Sequence, residues 1–117
     1  MYSHDTLGLG HLRRCREIAH HLVESNSRLS VLILSGSPII GSFDFRTRVD
    51  FVRIPGVIKL RNGDYTSLSL HLKIEETLEL RESIIKHTAE TFDPDLFIVD
   101  KEPVSYTHLT LPTTLSV

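Results

Sequence analysis

The chain carries one cysteine in 117 residues, Cys15, which rules out an internal disulfide framework. None of its apolar runs approaches the roughly 20 residues that a helical bilayer span needs. The first residues show no basic segment followed by an apolar one, so no secretory signal is visible. Neither sign of charge is in excess: 13 Lys and Arg against 15 Asp and Glu leave a formal net charge of -2. That balance gives no support to a strongly basic nucleic-acid surface, a polyacidic tail or attraction to a membrane surface. Internal repeats and low-complexity linkers are lacking too. These absences leave a small globular chain, one domain at most, for which cytoplasmic residence is expected.

What is present begins with Ser3-His4-Asp5-Thr6-Leu7-Gly8-Leu9-Gly10-His11-Leu12-Arg13-Arg14. Met1 to Ser3 reads as the last residues of a strand, short against the usual ~5–6, so the element is expected to start part-way through. Gly8 and Gly10 remove Cβ where the chain turns sharply or a ligand approaches backbone N–H groups. The first turn of a helix has unpaired N–H donors and the positive end of a dipole, which together suit an anion. His11 sits at that turn, and histidine titrates near physiological pH.

Downstream, Leu12, Cys15, Ile18, Ala19, Leu22 and Val23 recur at three- and four-residue spacing, predicting an amphipathic helix that ends at Ser25-Asn26-Ser27. Arg13, Arg16, Glu17, His20, His21 and Glu24 fall on its solvent side. Leu29–Leu34 predicts a buried parallel strand, stopped by Ser35-Gly36-Ser37-Pro38. Ile39–Thr47 is ambiguous, with a short helix packing through Ile39, Ile40 and Phe43 as one reading. Val49–Ile54 predicts a third strand, and Val57–Ser69 an irregular excursion with a turn at Arg61-Asn62-Gly63-Asp64. A long helix is expected over Leu70–Thr91, lined by Ile74, Leu78, Ile85, Ala89 and Phe92 and flanked by Leu72 and Ile84. Asp93-Pro94-Asp95 breaks it before a fourth buried strand, Leu96–Val99, which ends at Asp100.

Strand, helix, strand, uncertain segment, strand, helix, strand implies an α/β fold with parallel strands and right-handed crossovers, a Rossmann-like half-sheet with helices on both faces. In the doubly wound order 3-2-1-4 the first and fourth strands are neighbours, and ligands bind between their carboxyl ends. His11 and Asp100 would then meet in one crevice. A dinucleotide fingerprint fails, because Arg13 stands where the third glycine belongs and Ser35-Gly36, with no acid, ends the second strand. No phosphate loop ending in Gly-Lys-Ser/Thr occurs, and no Cys/His spacing suits zinc. The residues alone leave His11 open between a base and a helix cap. Asp100 is open between an orienting carboxylate and a loop cap, and Arg14 between a loop or anion contact and a surface cation. His20, His21, His71 and His87 read as solvated helix positions. Arg61 and Asp64–Tyr65 read as either an acceptor-facing loop or a solvated turn.

Gly8-Leu9-Gly10-His11-Leu12-Arg13-Arg14-Cys15 resembles the Gly-x-Gly-His-x-x-Arg signature of nucleotide-sugar glycosyltransferases of the two-domain GT-B fold. The likeness is to the bacterial predicted glycosyltransferases akin to the lipid-II-forming N-acetylglucosaminyltransferase (MurG-like). The UDP-sugar hydrolase of pseudaminic acid synthesis carries a similar Gly-x-Gly-His-x-x-Arg-Cys. The resemblance covers residues 1–103, most specifically Tyr2 to Cys15. It implies the N-terminal, acceptor-binding half of a GT-B enzyme, with a C-terminal domain in cis to bind most of a nucleotide-sugar such as a UDP-sugar. It further implies His11 as the base toward an acceptor hydroxyl, Asp100 as its orienting carboxylate, and Gly8, Gly10 and Arg14 as a substrate- or phosphate-binding loop. No metal and no cofactor beyond the donor are expected. Neither is a nucleic-acid partner, and the half-enzyme alone is expected to be inactive. A nucleotide-sugar hydrolase and a non-catalytic Rossmann-type binding module are the alternatives.

Residues 104–117 break the pattern. Val104-Ser105-Tyr106-Thr107-His108-Leu109-Thr110-Leu111-Pro112-Thr113 resembles one reading frame of a transposon-end adapter used in sequencing-library preparation. This tail is therefore expected to be non-native, the alternative being a native tail with a strand over Thr107–Leu111. Tyr106 and His108 accordingly carry no functional assignment.

Overall fold

The computed structural model describes residues 1–3, 10–100 and 114–116. The fold is α/β, with parallel strand pairs and two long helices. Helix α1 spans Gly10–Ser25 and buries Leu12, Cys15, Ala19 and Val23, with Ile18 and Leu22 partly covered beside them. That is the stripe the three- and four-residue spacing predicts. One of its last carbonyls, Val23 O, and two carbonyls of the segment that follows are met by a side chain from outside the helix. The Arg48 guanidinium donates to Val23 O at 2.7 Å, Asn26 O at 2.9 Å and Leu29 O at 3.0 Å.

Strand β1 (Val31–Ser35) runs parallel to β2 (Val49–Arg53), Val31 opposite Val49 and Ser35 opposite Arg53. Between them a short 3-10 turn, Ile40–Ser42, buries Ile40. Ile39, expected to pack, is 37% exposed instead, because a single tight turn can direct only one of the two isoleucines inward. Residues 57–67 form a β-hairpin rather than an irregular excursion. Strand β3 (Val57–Lys59) pairs antiparallel with β4 (Tyr65–Ser67), and Gly63 takes the left-handed backbone of the turn at φ 93°. The Asn62 side chain closes that turn by accepting the Asp64 N–H at 3.0 Å.

Helix α2 spans Ile74–Phe92, starting four residues later than the apolar spacing suggested. Lys73 is extended (φ -61°, ψ 147°), and Leu70 and Leu72 stay exposed ahead of it. The buried face is also different: Thr77 and Arg81 join Ile85 and Ala89 inside, while Phe92 is 44% exposed. Asp93, in the left-handed region at φ 52°, ends the helix and leads through Pro94 to β5 (Phe97–Val99).

The extended residues Met1–Ser3 lie against two strands. Tyr2 makes parallel bridges to Leu34 of β1 and Val99 of β5. Its N–H donates to Ile98 O at 2.8 Å and its carbonyl accepts the Asp100 N–H at 2.9 Å, while Ser3 N donates to Leu34 O at 3.0 Å. Side chains alternate across these strands, so two cores form. Met1, Ile33, Val49 and Ile98 pack with α1 on one face. Tyr2, Leu34, Phe97 and Val99 pack with Ile85 of α2 on the other. Helices thus cover both faces.

Strand β6 (Thr114–Ser116) runs parallel along β5, Phe97 opposite Thr114. Pairing along a sheet edge engages backbone groups, so it accepts a native and a foreign segment alike. Residues 101–113, including the alternative strand Thr107–Leu111, lie outside the described residues, as do Tyr106 and His108. No helix among the described residues is long and apolar enough to cross a membrane.

Candidate functional site

Three side chains meet at the carboxyl ends of the parallel strands. Asp100 follows β5 and is fully buried (0% exposed), its N–H fixed on the Tyr2 carbonyl. His11 and Arg14 stand on the first turn of α1, three residues apart and therefore on neighbouring positions of one helix face. His11 Nδ1–H donates to Asp100 Oδ2 at 2.7 Å, and Arg14 Nη2–H donates to Asp100 Oδ1. Each carboxylate oxygen thus has its own donor. The His11 side chain keeps 20% of its surface exposed and Arg14 keeps 48%, so both remain reachable from solvent although the carboxylate is not.

The His11–Asp100 pair is the one that strand order led the sequence to bring together. Arg14, expected to shape the loop or contact an anion, engages the carboxylate. Gly10 opens α1, where an added Cβ would meet nothing within 4 Å. Gly8 lies outside the described residues, as do His4 and Asp5. The bond to Nδ1 selects one imidazole tautomer and leaves Nε2 as the basic nitrogen, an arrangement suited to removing a proton from a hydroxyl. Cys15, one turn beyond His11, is 1% exposed, and burial pushes its thiol up, with the nearby Asp100 carboxylate adding to the effect. A thiol so placed is a poor nucleophile.

Three polar side chains play parts that the sequence did not suggest. Arg81, fully buried on α2, donates to Tyr2 Oη at 2.7 Å and to Pro55 O at 2.6 Å. The only sequence signal was its four-residue spacing from Thr77 and Ile85, which a charged residue disguises. His20, assigned to solvent, lies edge-on to Phe45 with ring centroids 6.3 Å apart and accepts the Arg46 N–H; burial lowers its pKa below the usual imidazole value. Arg16 likewise lies over the Phe43 ring at 4.9 Å.

A cavity of about 310 Å³ lies at the opposite, amino ends of the strands, lined by residues such as Met1, Leu29, Val31, Ala89 and Phe97. His11, Arg14 and Asp100 do not line it, so this cavity is separate from the Asp100 site. Among the described residues no group of three or more His, Cys, Asp or Glu side chains is placed to hold a metal ion. Comparisons with protein-family models, with curated proteins and with solved structures returned no match.

Proposed function

We propose that this chain is the acceptor-side half of a GT-B glycosyltransferase, in which His11 removes the proton of an acceptor hydroxyl as it attacks the anomeric carbon of a nucleotide-sugar. In this reading the sheet follows the order 3-2-1-4, with Met1–Ser3 central between β1 and β5. The two parallel bridges of Tyr2 support that order. Residues 1–103 form the Rossmann-like half, and residues 104–117 are foreign to it. Donor binding belongs to a second domain in cis.

The observation that carries the reading is the 2.7 Å bond between His11 Nδ1 and the buried Asp100 carboxylate. An acceptor hydroxyl is a weak nucleophile, and a base aligned with it lowers the barrier. A carboxylate on the far nitrogen holds the tautomer and stabilises the imidazolium that forms, as in a hydrolase triad. The N–H groups of the α1 N-terminus, beginning at Gly10, would face the charge that develops on the departing nucleotide diphosphate.

The test uses the parent protein with its native continuation after Pro103, assayed for transfer from a panel of UDP-sugars. His11→Ala is expected to lower kcat about 10²- to 10⁴-fold. The 117-residue chain should transfer no sugar. Unchanged turnover in His11→Ala would make His11 structural and leave this half a non-catalytic binding module. Release of free sugar without any acceptor would assign the same dyad to activating water, as in a nucleotide-sugar hydrolase.

A further inference from the structure

We infer that Arg14 is a positioning residue for the His11–Asp100 pair rather than a ligand-binding cation. The inference rests on the dyad reading above and adds a third member to it. Asp100 is fully buried and accepts from two different side chains, His11 on Oδ2 and Arg14 on Oδ1. Both donors come from a single turn of α1, at positions i and i+3.

The physical need for a second donor lies in the carboxylate itself. Rotation of an Asp carboxyl about its last torsion is broad, with two nearly equivalent oxygens, so one hydrogen bond does not fix its plane. A guanidinium on Oδ1 pins that plane and presents Oδ2 to Nδ1. It also offsets the cost of holding a negative charge away from water, which a neutral imidazole alone compensates less well. Without Arg14, the carboxylate is free to turn, and the imidazole loses the acceptor that selects its tautomer. Arg13, next in the chain, makes a natural control: it is exposed on the solvent side of the same helix turn.

The tautomer is read directly in the 117-residue chain labelled with ¹⁵N-histidine. Two-bond ¹H–¹⁵N correlations are recorded over a pH series and the tautomer is read on the alkaline plateau, where the signals no longer move with pH. The His11 signals are assigned by their loss in His11→Gln. The wild-type chain is expected to show His11 as the Nδ1–H tautomer. Arg14→Gln and Arg14→Met are expected to lose that form as the majority species, while Arg13→Gln keeps it. The half-exposed Arg14 side chain is outside both cores, and the amide spectrum verifies that each variant is folded. If Asp100→Ala loses the Nδ1–H form but both Arg14 variants keep it, the role given to Arg14 is overturned and the dyad stands. Loss in Arg13→Gln as well as in the Arg14 variants would overturn it too, as a general charge effect. Should Asp100→Ala keep the wild-type signature, the dyad reading fails and the Arg14 role fails with it.

Discussion

The N-terminal ammonium of Met1 should make folding stability depend on pH in a way that can be isolated chemically. Met1 is 8% exposed, and its nitrogen donates to Leu32 O at 2.7 Å. Burial pulls the pKa of this amine down from 8.0 to about 6. In the unfolded chain the amine takes up its proton as the pH falls through 8.0, whereas the folded chain takes it up only near 6. Between those values the unfolded state holds more protons, so stability declines as the pH is lowered and levels off on either side. Two pH units at about 1.4 kcal/mol each give a total near 3 kcal/mol. Against the 5–15 kcal/mol typical of a domain, that is a large share. Urea unfolding from about pH 5.5 to 9, on the chain and on its Nα-acetylated form, measures the effect. His20, whose pKa burial also lowers, gives a slope of the same sign, but it is present in both forms and cancels in their difference. Acetylation should flatten the curve by about 3 kcal/mol over the window. Identical slopes in the two forms would refute the reasoning.

Two further substitutions test the packing that holds the site. Arg81→Met removes the donor from Tyr2 Oη and Pro55 O and should cost about 2–4 kcal/mol in urea unfolding. Adding Tyr2→Phe should restore part of that loss, because no phenolic oxygen is then left without its donor; strictly additive costs would count against this account. At Gly56 an added Cβ would lie 2.8 Å from Gly36 O and 2.9 Å from Leu68 Cδ2, so Gly56→Ala should destabilise by about 1–3 kcal/mol. An unchanged Tm would mean that the loops after β1 and β2 do not approach each other as closely as they do here.

How far the fold was legible depended on the kind of signal each element carries. Helix α1 was readable because its apolar residues repeat at helical spacing with few interruptions. The strands β1, β2 and β5 stand out as short apolar runs between turn residues. The β3–β4 hairpin was hidden, since each strand has three residues and Val57, Ile58 and Lys59 grade from buried to exposed without alternating cleanly. Only its Asn62-Gly63 turn was visible. The α2 start was misplaced because Leu70 and Leu72 continue the helical spacing into a segment whose backbone is extended at Lys73. Arg81 was unreadable as a core residue. Patterning assigns a guanidinium to solvent, and nothing local announces acceptors on Tyr2 and Pro55, far away in the chain. At the site, the expectation that His11 and Asp100 share one crevice anticipated their contact. The partner of Arg14 was not anticipated: spacing along a helix puts Arg14 beside His11 but is silent about what lies opposite.

Helix α1 presents His11 to Asp100 and then, about one turn later on the same side, sinks Cys15 into the core with Leu12, Ala19 and Val23 beside it. The imidazole is therefore mounted on the end of a beam whose other supports are clamped between layers. Its aim is inherited from the interior. A single added methylene under the beam would tilt the whole turn and misdirect the ring.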